Sequence, residues 1–432
     1  MNGSGPVGIV GVGQLGLCFV QRLRSAGLDV HAYDVNAVAL DRAKDAGAVT
    51  QTSPAAVAHD CAVVLVCVTG PDEVRECALG RDGLQDALKA DALVIDTSTS
   101  LPATTREVAN LLAARGAKFI DAPVSRGVPA ALAGTLSIMV GADDAETVER
   151  ALPILNLLGS DIVKVGGLGD GHAVKLLNMM LMGAHLVGNA EALGLAASRG
   201  ADAHAMIDFL NRSAGVSYMT SNHLPRFALS GSYSSGFSLK LMVKDLGLGR
   251  RLADALSIPM PLADRVWHAY TSTLRQLGDV DNMRLVPYLA ALAAGRSPEQ
   301  ARTDARSGQL PNPPKSIRAA PPSDVVATVA ASNAVAAGEA LRIATASGLS
   351  ISTAFSVIDM SSGSSQFTAE LTTSSFSTPE PSVTGNVVSA SDGAWAPVLG
   401  WAGTLADIAA RWSCSSAADA AETLLSSERN AI

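Results

Sequence analysis

The sequence is poor in charged side chains, which make up 17% of its 432 residues, and those present are more often acidic than basic. Its 32 Lys and Arg residues stand against 40 Asp and Glu residues, a formal net charge of −8. This balance argues against nucleic acid or an anionic membrane as the main partner, because both attract a surplus of cations. Apolar side chains reach 48%, so the chain has enough material for packed cores.

Cysteine and histidine are also sparse, and neither is arranged as a ligand set. The five cysteines are an odd number without a CxxC pair, and the seven histidines show no ligand spacing such as HxxxH. We therefore expect neither a disulfide framework nor a zinc or other metal site. The cysteines are Cys18, Cys61, Cys67, Cys77 and Cys414.

The marks of a secreted or membrane protein are missing as well. The first residues lack the basic region that opens a signal peptide. The most apolar later stretch, Lys175 to Val187, is interrupted by Asn178 and His185. We expect a cytoplasmic protein with no membrane partner.

The first 166 residues alternate short β-branched apolar runs with longer helical patterns, which predicts a Rossmann-type, doubly wound α/β domain over residues 1–166. Several of the runs are apolar without alternation, as in strands that helices cover on both faces. The predicted strands are Val7–Gly11, Val30–Asp34, Ala62–Val68, Leu93–Thr97, Phe119–Pro123, Leu136–Gly141 and Ile162–Gly166.

Helical patterns dominate the next part and predict an all-α domain over residues 167–296. The clearest helices are Val174–Ser198, Ala203–Arg212 and Leu239–Ala255. Residues 297–322 are rich in proline and polar side chains, which indicates a linker. At this length two or three domains are expected, since single cores rarely exceed about 200 residues.

The remaining residues, 323–432, resemble the helical domain at a constant offset of 148. Glu191-Ala-Leu corresponds to Glu339-Ala-Leu, and Gly200 to Gly348. Further matches are Ala196 with Ala344, Ser213 with Ser361, Gly215 with Gly363, and Ser217 with Ser365. We interpret this region as a degenerate second helical domain; the alternative is an unrelated Ala-rich helical tail.

A glycine-rich turn follows the first predicted strand and precedes a helical pattern. Gly11, Gly13 and Gly16 have the GxGxxG spacing, with Gln14 and Leu15 between the last two. The first glycine permits the tight turn, the second lets the backbone approach a pyrophosphate, and the third allows close helix packing. The N–H groups at the helix start can bind the anion, so the turn predicts a dinucleotide site.

Asp34 ends the second predicted strand and follows the glycine turn at about the spacing of a ribose-binding carboxylate. A carboxylate there can accept hydrogen bonds from the adenine ribose hydroxyls, which favours NAD. The 2′-phosphate of NADP would meet a negative charge, and Val35 and Asn36 supply no compensating cation. Alternatively, Asp34 caps the next helix.

Four segments resemble the β-hydroxyacid dehydrogenases, the family of 3-hydroxyisobutyrate dehydrogenase and tartronate semialdehyde reductase. They occur in the family's order and spacing over about residues 6–290. The segments are the glycine turn; Asp121-Ala-Pro-Val-Ser-Arg-Gly with the later Ala133-Gly-Thr-Leu; Gly169-Asp-Gly-His-Ala-Val-Lys-Leu-Leu-Asn; and Phe237 to Leu248, which contains Lys244-Asp245.

The resemblance implies that Lys175 is the catalytic acid/base and that Asn178, one helical turn later, contacts the substrate. A partly desolvated lysine can exchange a proton with a substrate hydroxyl as hydride moves to or from nicotinamide. Without the resemblance, Lys175 would be read as a surface lysine near a helix start and Asn178 as a helix–helix contact.

Ser125, Arg126 and Gly127 follow a predicted strand, where open α/β sheets bind ligands, and the resemblance implies that they bind the substrate carboxylate. The family usually has Ser-Gly-Gly here. Arg126 in place of the middle glycine either pairs with an acidic group of the substrate or points to solvent. Met179 replaces a second asparagine of the family, so one polar substrate contact is expected to be lost.

The resemblance implies further contacts near the nicotinamide. Lys244 and Asp245 would close the cofactor site, although an exposed ion pair of neighbours is the plain alternative. Two loops would line the nicotinamide: Cys67–Val68 after the third predicted strand and Ser98–Thr99 after the fourth. The family's usual Leu-Pro after this third strand is absent here, and no neighbouring base suggests that Cys67 is a nucleophile.

The second helical copy has no counterpart of this chemistry, since Ser323 stands at the position of Lys175 and Val326 at that of Asn178. It would cover apolar surface within the chain or extend a homo-oligomer. A duplicated helical domain also resembles 6-phosphogluconate dehydrogenase, a relative of the family.

The sequence as a whole predicts an NAD-preferring dehydrogenase of small 3-hydroxy acids, or a reductase of the matching semialdehydes. NADP is the less favoured cofactor. Alternatives are reduction of another carbonyl or an imine, a phosphorylated sugar acid as substrate, or a non-catalytic dinucleotide-binding module.

Overall fold

The computed structural model describes residues 5–312 and 319–373, and the chain divides into two compact units after Leu176. The division lies shortly after the predicted domain boundary at 166. Part of the predicted linker, residues 313–318, and residues 374–432 of the predicted final domain, with Cys414, lie outside the described residues.

A nine-stranded sheet runs through the first unit, in the order β3-β2-β1-β4-β5-β6-β8-β7, with β9 paired to β8. Strands β1 to β6 pair with one another in parallel, which confirms the predicted doubly wound α/β fold. The strands are β1 (Val7–Val10), β2 (Val30–Tyr33), β3 (Val49–Thr50), β4 (Val63–Val66), β5 (Leu93–Asp96), β6 (Lys118–Asp121), β7 (Val124–Ser125), β8 (Leu136–Gly141) and β9 (Gly159–Gly166).

Beyond β6 the sheet changes direction, because β8 is antiparallel to both β6 and β7. The strand order reverses between β1 and β4, so their following loops open a crevice at the carboxyl edge of the sheet. All seven predicted strands are present, with ends that differ by a few residues. The two-residue strands β3 and β7 were not predicted, since two residues carry no periodicity.

Helices join the strands of the first unit and leave cores on both faces of the sheet. Ile9 belongs to one core and Val10 to the other, which explains why the strands are apolar without alternation. The helices are α1 (Gln14–Ser25), α2 (Ala37–Asp45), α3 (Pro54–Asp60), α4 (Pro71–Leu79), α5 (Pro102–Ala113), α6 (Gly127–Ala133) and α7 (Ala145–Leu158), with a 3-10 turn at Leu84–Asp86. Proline opens α3, α4 and α5, where its fixed φ suits the first helical turn.

The described part of the second unit is helical. Helix α8 begins in the first unit at Asp170 and continues to Ser198. The other helices are α9 (Ala203–Leu210), α10 (Leu239–Ala255), α11 (Pro261–Leu277), α12 (Leu285–Ala293), α13 (Pro298–Ser307), α14 (Ser323–Ala346), α15 (Ile351–Asp359) and α16 (Gln366–Thr373), with a π-helix at Met219–Leu229 and a 3-10 turn at Asn282–Arg284. The predicted helix Leu239–Ala255 agrees with α10 at both ends, whereas α13 occupies part of the predicted linker.

The C-terminal helices recur at the offset found in the sequence. The last residue of α14 is the counterpart of the last residue of α8, and the first residue of α15 is the counterpart of the first residue of α9. Gly200 and Gly348, which follow α8 and α14, both have left-handed backbones, with φ +91° and +72°. The side chains of Asp202 and Ser350 then cap α9 and α15 by accepting the N–H group three residues on.

Candidate active site

Close backbone contacts require glycine at two positions of the turn between β1 and α1. Gly11 has φ +92°, and a Cβ there would lie 2.3 Å from the carbonyl oxygen of Cys67. A Cβ on Gly16 would lie 2.1 Å from the carbonyl oxygen of Gly11. Any side chain at either position would therefore push the start of α1 away from the strand ends.

Gly13 shows where an anion fits. It precedes α1 as its N-cap and offers no side chain to cap the helix. A Cβ on Gly13 would meet nothing within 4 Å, so this side of the turn is open. The N–H groups of the first helical turn, which Gln14 and Leu15 begin, can therefore hold a pyrophosphate. These residues fit the phosphates of a dinucleotide.

The carboxylate of Asp34 is fixed beside this turn. Its Oδ2 accepts the N–H of Val12 at 2.7 Å, and its Oδ1 accepts the N–H of Asn36 at 2.8 Å. Asn36, not Asp34, caps α2, since its side chain accepts the N–H groups of Val38 and Ala39. The alternative of a helix cap at Asp34 is thus wrong, and its carboxylate is oriented at the edge where a ribose would bind.

The two predicted nicotinamide loops follow the adjacent strands β4 and β5 and are bonded to each other. The hydroxyl of Ser98 accepts the N–H of Val68 at 3.0 Å, and Ser98 in turn donates its N–H to Asp96 at 2.9 Å. Thr99 is half-buried beside them. Burial raises the pKa of the Cys67 thiol to about 12, which leaves it protonated and unsuited to nucleophilic attack.

Ser125, Arg126 and Gly127 form the bend between β7 and α6. Arg126 and Gly127 both have left-handed backbones, with φ +80° and +70°. Glycine adopts this conformation without strain, which explains the family's Ser-Gly-Gly. The Arg126 guanidinium pairs with Asp161 at 2.5 Å and donates to the carbonyl of Thr135 at 3.0 Å, so it does not point freely into solvent.

Lys175 is buried, with 7% of its surface exposed, on the second turn of α8. The end of strand β6 holds the start of this helix. Oδ1 of Asp121 accepts the N–H of Gly169, and Oδ2 accepts the N–H of His172, both at 2.8 Å. Two bonds from one carboxylate therefore anchor the helix that carries Lys175.

A cluster of buried polar side chains lies around this anchor, and the sequence analysis did not predict it. The His172 ring is fully buried, with Nδ1 2.7 Å from the Thr105 hydroxyl and Nε2 3.2 Å from the carbonyl oxygen of Ser98. The carboxylates of Asp96 and Asp121 each lie 3.8 Å from the ring. Burial raises the pKa of Asp121 to about 6, although His172 lowers it. Aspartates at the ends of two adjacent strands were the signal that could have revealed the group.

Asn178 belongs to the second unit and is fully buried there. Its Oδ1 accepts the N–H of Gly363 at 2.8 Å, and its Nδ2 donates to the hydroxyl of Ser362 at 3.1 Å. The Sδ atom of Met179 lies 3.9 Å from Nδ2. The C-terminal copy therefore fixes the orientation of the Asn178 amide.

Lys244 and Asp245 also belong to the second unit, on α10. Nζ of Lys244 lies 2.7 Å from Oδ1 of Asp245. Asp245 is buried, whereas 26% of the Lys244 side chain is exposed. The ion pair is thus largely buried in the helical unit, and the alternative of an exposed ion pair is wrong.

The predicted site residues therefore fall into two sets. The first unit contains the glycine turn, Asp34, the two nicotinamide loops, the Ser125–Gly127 bend and Lys175. The second unit contains Asn178, Lys244 and Asp245. Within residues 5–312 and 319–373, no three His, Cys, Asp or Glu side chains are placed to hold a metal ion. No helix in this described part of the chain is long and apolar enough to cross a membrane.

Two family models match adjacent parts of the chain. Residues 6–167 match the NAD binding domain of 6-phosphogluconate dehydrogenase. Residues 169–289 match the NAD-binding domain of NADP-dependent 3-hydroxyisobutyrate dehydrogenase. The two matches meet at the start of α8.

Named enzymes resemble the same part of the chain. The 2-(hydroxymethyl)glutarate dehydrogenase of Eubacterium barkeri is 34% identical over 264 residues, 61% of this chain and 87% of that enzyme. The 3-sulfolactaldehyde reductase of Escherichia coli K12 is 35% identical over 59% of this chain and 86% of its own. The solved 3-hydroxyisobutyrate dehydrogenase of Mycobacterium tuberculosis with L-serine has a TM-score of 0.61 and 29% identity, over 66% of this chain and 98% of its own.

Proposed function

The chain belongs to the β-hydroxyacid dehydrogenase family, and from this we propose that it is an NAD-dependent oxidoreductase acting on the CH–OH group of a small 3-hydroxy acid, or on the matching semialdehyde in reverse. It is an enzyme that binds NAD or NADP, as its relatives are named dehydrogenases and reductases. The named substrates of those relatives differ from one another, so the particular acid is part of the proposal.

The observation that carries the proposal is the open glycine turn beside a fixed carboxylate. The uncapped start of α1 can hold the pyrophosphate, and Asp34 is already oriented by Val12 and Asn36. Its charge would repel a 2′-phosphate, while Arg42, the nearest arginine in sequence, lies on α2 and is exposed. These contacts favour NAD over NADP.

Lys175 is the residue proposed to move the proton. When bound, the nicotinamide supplies hydride transfer, which needs a partner that gives or takes the hydroxyl proton. A buried ammonium on a helix anchored by Asp121 can do this with little movement. Lys175 would donate a proton to the carbonyl oxygen during reduction and accept it back during oxidation.

Ser125, Gly127 and Asn178 are proposed to bind the substrate, with Lys244 and Asp245 beside the cofactor. Arg126 is proposed as a weaker contact, because a substrate anion would have to share its guanidinium with Asp161. This pairing argues against a phosphorylated sugar acid, which would need a cation of its own. Buried Met179 adds an apolar surface and favours a substrate with few hydroxyl groups.

The proposed site of action is the cytoplasm. Cys18, Cys61 and Cys77 are buried free thiols in the described part of the chain. Cysteines remain as free thiols in reducing compartments such as the cytosol, whereas secreted proteins tend to pair them in disulfides.

The test is turnover of a panel of 3-hydroxy acids and semialdehyde acids, followed by nicotinamide absorbance, with NAD(H) and NADP(H) in parallel. We expect turnover with NAD(H), and we expect Asp34→Ala to narrow the difference in KM between the two cofactors. A wild-type enzyme that prefers NADP(H) would refute the cofactor proposal. Binding of NAD(H) without turnover of any panel member would refute the substrate class.

A further inference from the structure

The two helical copies meet through their backbones in the second unit. Ser217 lies opposite Ser365 in an antiparallel bridge. The N–H of Tyr218 donates to the carbonyl of Ser364 at 2.9 Å, and the N–H of Gln366 donates to the carbonyl of Val216 at 3.4 Å. These bonds flank the Ser217–Ser365 pair on either side.

The central pair of this contact joins a residue to its own equivalent, and the bonds on either side of it exchange places under the offset. At the offset of 148, Ser217 corresponds to Ser365 and Tyr218 to Gln366. The two backbone bonds are therefore the same bond, made once in each direction. Reciprocal contacts of this kind are the mark of a two-fold axis, the symmetry by which two identical subunits form a dimer.

The turns that present this contact are also alike. The Thr220 hydroxyl accepts the N–H of Ser217 at 2.9 Å, and the Thr368 hydroxyl accepts the N–H of Ser365 at 2.7 Å. In return, the hydroxyls of Ser217 and Ser365 each accept the threonine N–H at 3.4 Å. The residues of the bridge therefore lie in the same local structure in both copies. An unrelated tail that packed here by chance would not have this repeated structure.

Beside the bridge, each copy reaches the long helix of the other through an equivalent glycine. Gly363 donates its N–H to Asn178 on α8, and Asn333 on α14 donates to the carbonyl of Gly215 at 3.4 Å. The two glycines are equivalents, whereas the helix residues are not, since the counterpart of Asn333 is His185. The contact at Asn178 has no polar counterpart in the second copy, because Val326 and Ala214 stand at the positions of Asn178 and Ser362.

We propose that the C-terminal copy takes, within one chain, the place of a second subunit: it occupies the face of the first helical copy formed by α8 and residues 213–220, and it holds Asn178 from that place. The occupant of this face is therefore residues 323–373 of the same chain. The homo-oligomer predicted from the sequence would have to form through another surface.

Engineered cysteines test the proposal in the full-length protein without any use of enzyme activity. Flanking bonds make Ser217 and Ser365 a non-hydrogen-bonded pair, whose Cα atoms lie about 4.5 Å apart in antiparallel strands. This distance lies within the range that a disulfide bridges, about 4.4–6.8 Å. We expect Ser217→Cys/Ser365→Cys, in a Cys414→Ser background, to oxidise to an intrachain disulfide, seen as monomer mass and faster migration on a non-reducing gel.

The single variant Ser217→Cys separates this arrangement from an ordinary dimer. If a second chain occupied the face, the introduced thiol of one chain would meet its own equivalent in the other. We expect Ser217→Cys alone, and Ser365→Cys alone, to give no disulfide-linked dimer under the same oxidation. Interchain dimers from Ser217→Cys, or interchain links in the double variant, would overturn the proposal. Because neither readout depends on turnover, failure here is distinct from failure of the dehydrogenase proposal.

Discussion

The two helical copies of this chain have the same residues at positions where the backbone conformation requires them. They differ at the positions of the proposed site residues. Both have a glycine at the left-handed turn after the long helix, a capped second helix, and the same Ser–Thr turn at their contact. The first copy contains Lys175 and Asn178, whereas the second has Ser323 and Val326 at those positions. The second copy therefore lacks the two side chains to which proton transfer and substrate binding are proposed, while it keeps the backbone turns.

The comparison can be tested most strongly at Lys175. Removing a general acid/base usually costs about 10²–10⁴ in rate, so we expect Lys175→Ala to lower kcat by about a thousandfold. Cofactor affinity, measured by fluorescence titration with NADH, should change little. The matched control is Ser323→Ala in the second copy, which should leave kcat unchanged. Equal losses in both variants would mean that Lys175 acts through folding and not through proton transfer.

The second test concerns Glu339, which ties the two copies together. This buried carboxylate in α14 accepts the N–H groups of Leu262 and Ala263 at the start of α11. Burial raises its pKa to about 7, so the folded chain binds a proton more tightly than the unfolded chain. Its contribution to stability is therefore full below about pH 4.5 and is lost as the pH rises through 7.

We expect the unfolding free energy of wild type to fall relative to Glu339→Gln between pH 5 and pH 8, by at most about 3 kcal/mol. Urea denaturation of both proteins at the two pH values measures this. A difference between the proteins that does not change with pH would show that Glu339 titrates in the fold as it does in water.

A third test sharpens the contrast between Asn178 and its counterpart. Loss of a buried hydrogen-bonding group costs about 1–3 kcal/mol, so we expect Asn178→Ala to raise the KM for the hydroxy acid about tenfold or more. Ser362→Ala removes the acceptor of the Asn178 Nδ2 hydrogen bond and should raise this KM a few-fold. The control Ala214→Ser, at the equivalent position of the first copy, should leave KM unaltered. If Ser362→Ala lowers thermal stability but not substrate affinity, its bond to Asn178 is structural only.

The smallest expected effects are at the paired glycines. Left-handed backbone costs other residues about 1–2 kcal/mol, so Gly200→Ala and Gly348→Ala should each lower Tm by a few degrees. A Cβ on Gly348 would meet nothing within 4 Å, so the backbone conformation alone is tested there. If Gly348→Ala has no effect on Tm, the second copy does not melt together with the rest of the chain.

Local patterns in the sequence were sufficient for much of the fold. Strand β8 could be bounded because its six residues form a continuous, mostly apolar run, and helix α10 because its 17 residues contain several helical turns of pattern. Helix α13 was missed, although Ser297 and Gln300 form a capping box and Pro298 suits the first turn. The prolines further along this segment masked that signal.

The parts of the site that escaped prediction are contacts between distant residues. Asp161 lies 35 residues from Arg126, and Gly363 lies 185 residues from Asn178. His172 meets Thr105 across 67 residues. No spacing rule reaches so far, because such contacts depend on how strands and helices pack. The glycine turn, in contrast, is a local motif whose geometry is set by a few neighbouring residues.

The reciprocal bridge at Ser217 and Ser365 also has a consequence for dilution. Two separate subunits meet at a rate that depends on their concentration, and they part when diluted. Two partners on one polypeptide meet at an effective concentration set by the connecting segment, in the millimolar range for short flexible links. The contact that orients Asn178 should therefore persist in very dilute solution. The two copies can also differ in sequence at equivalent positions of the contact, which identical subunits cannot. Val326 stands where the first copy has Asn178, and Ala214 stands where the second has Ser362.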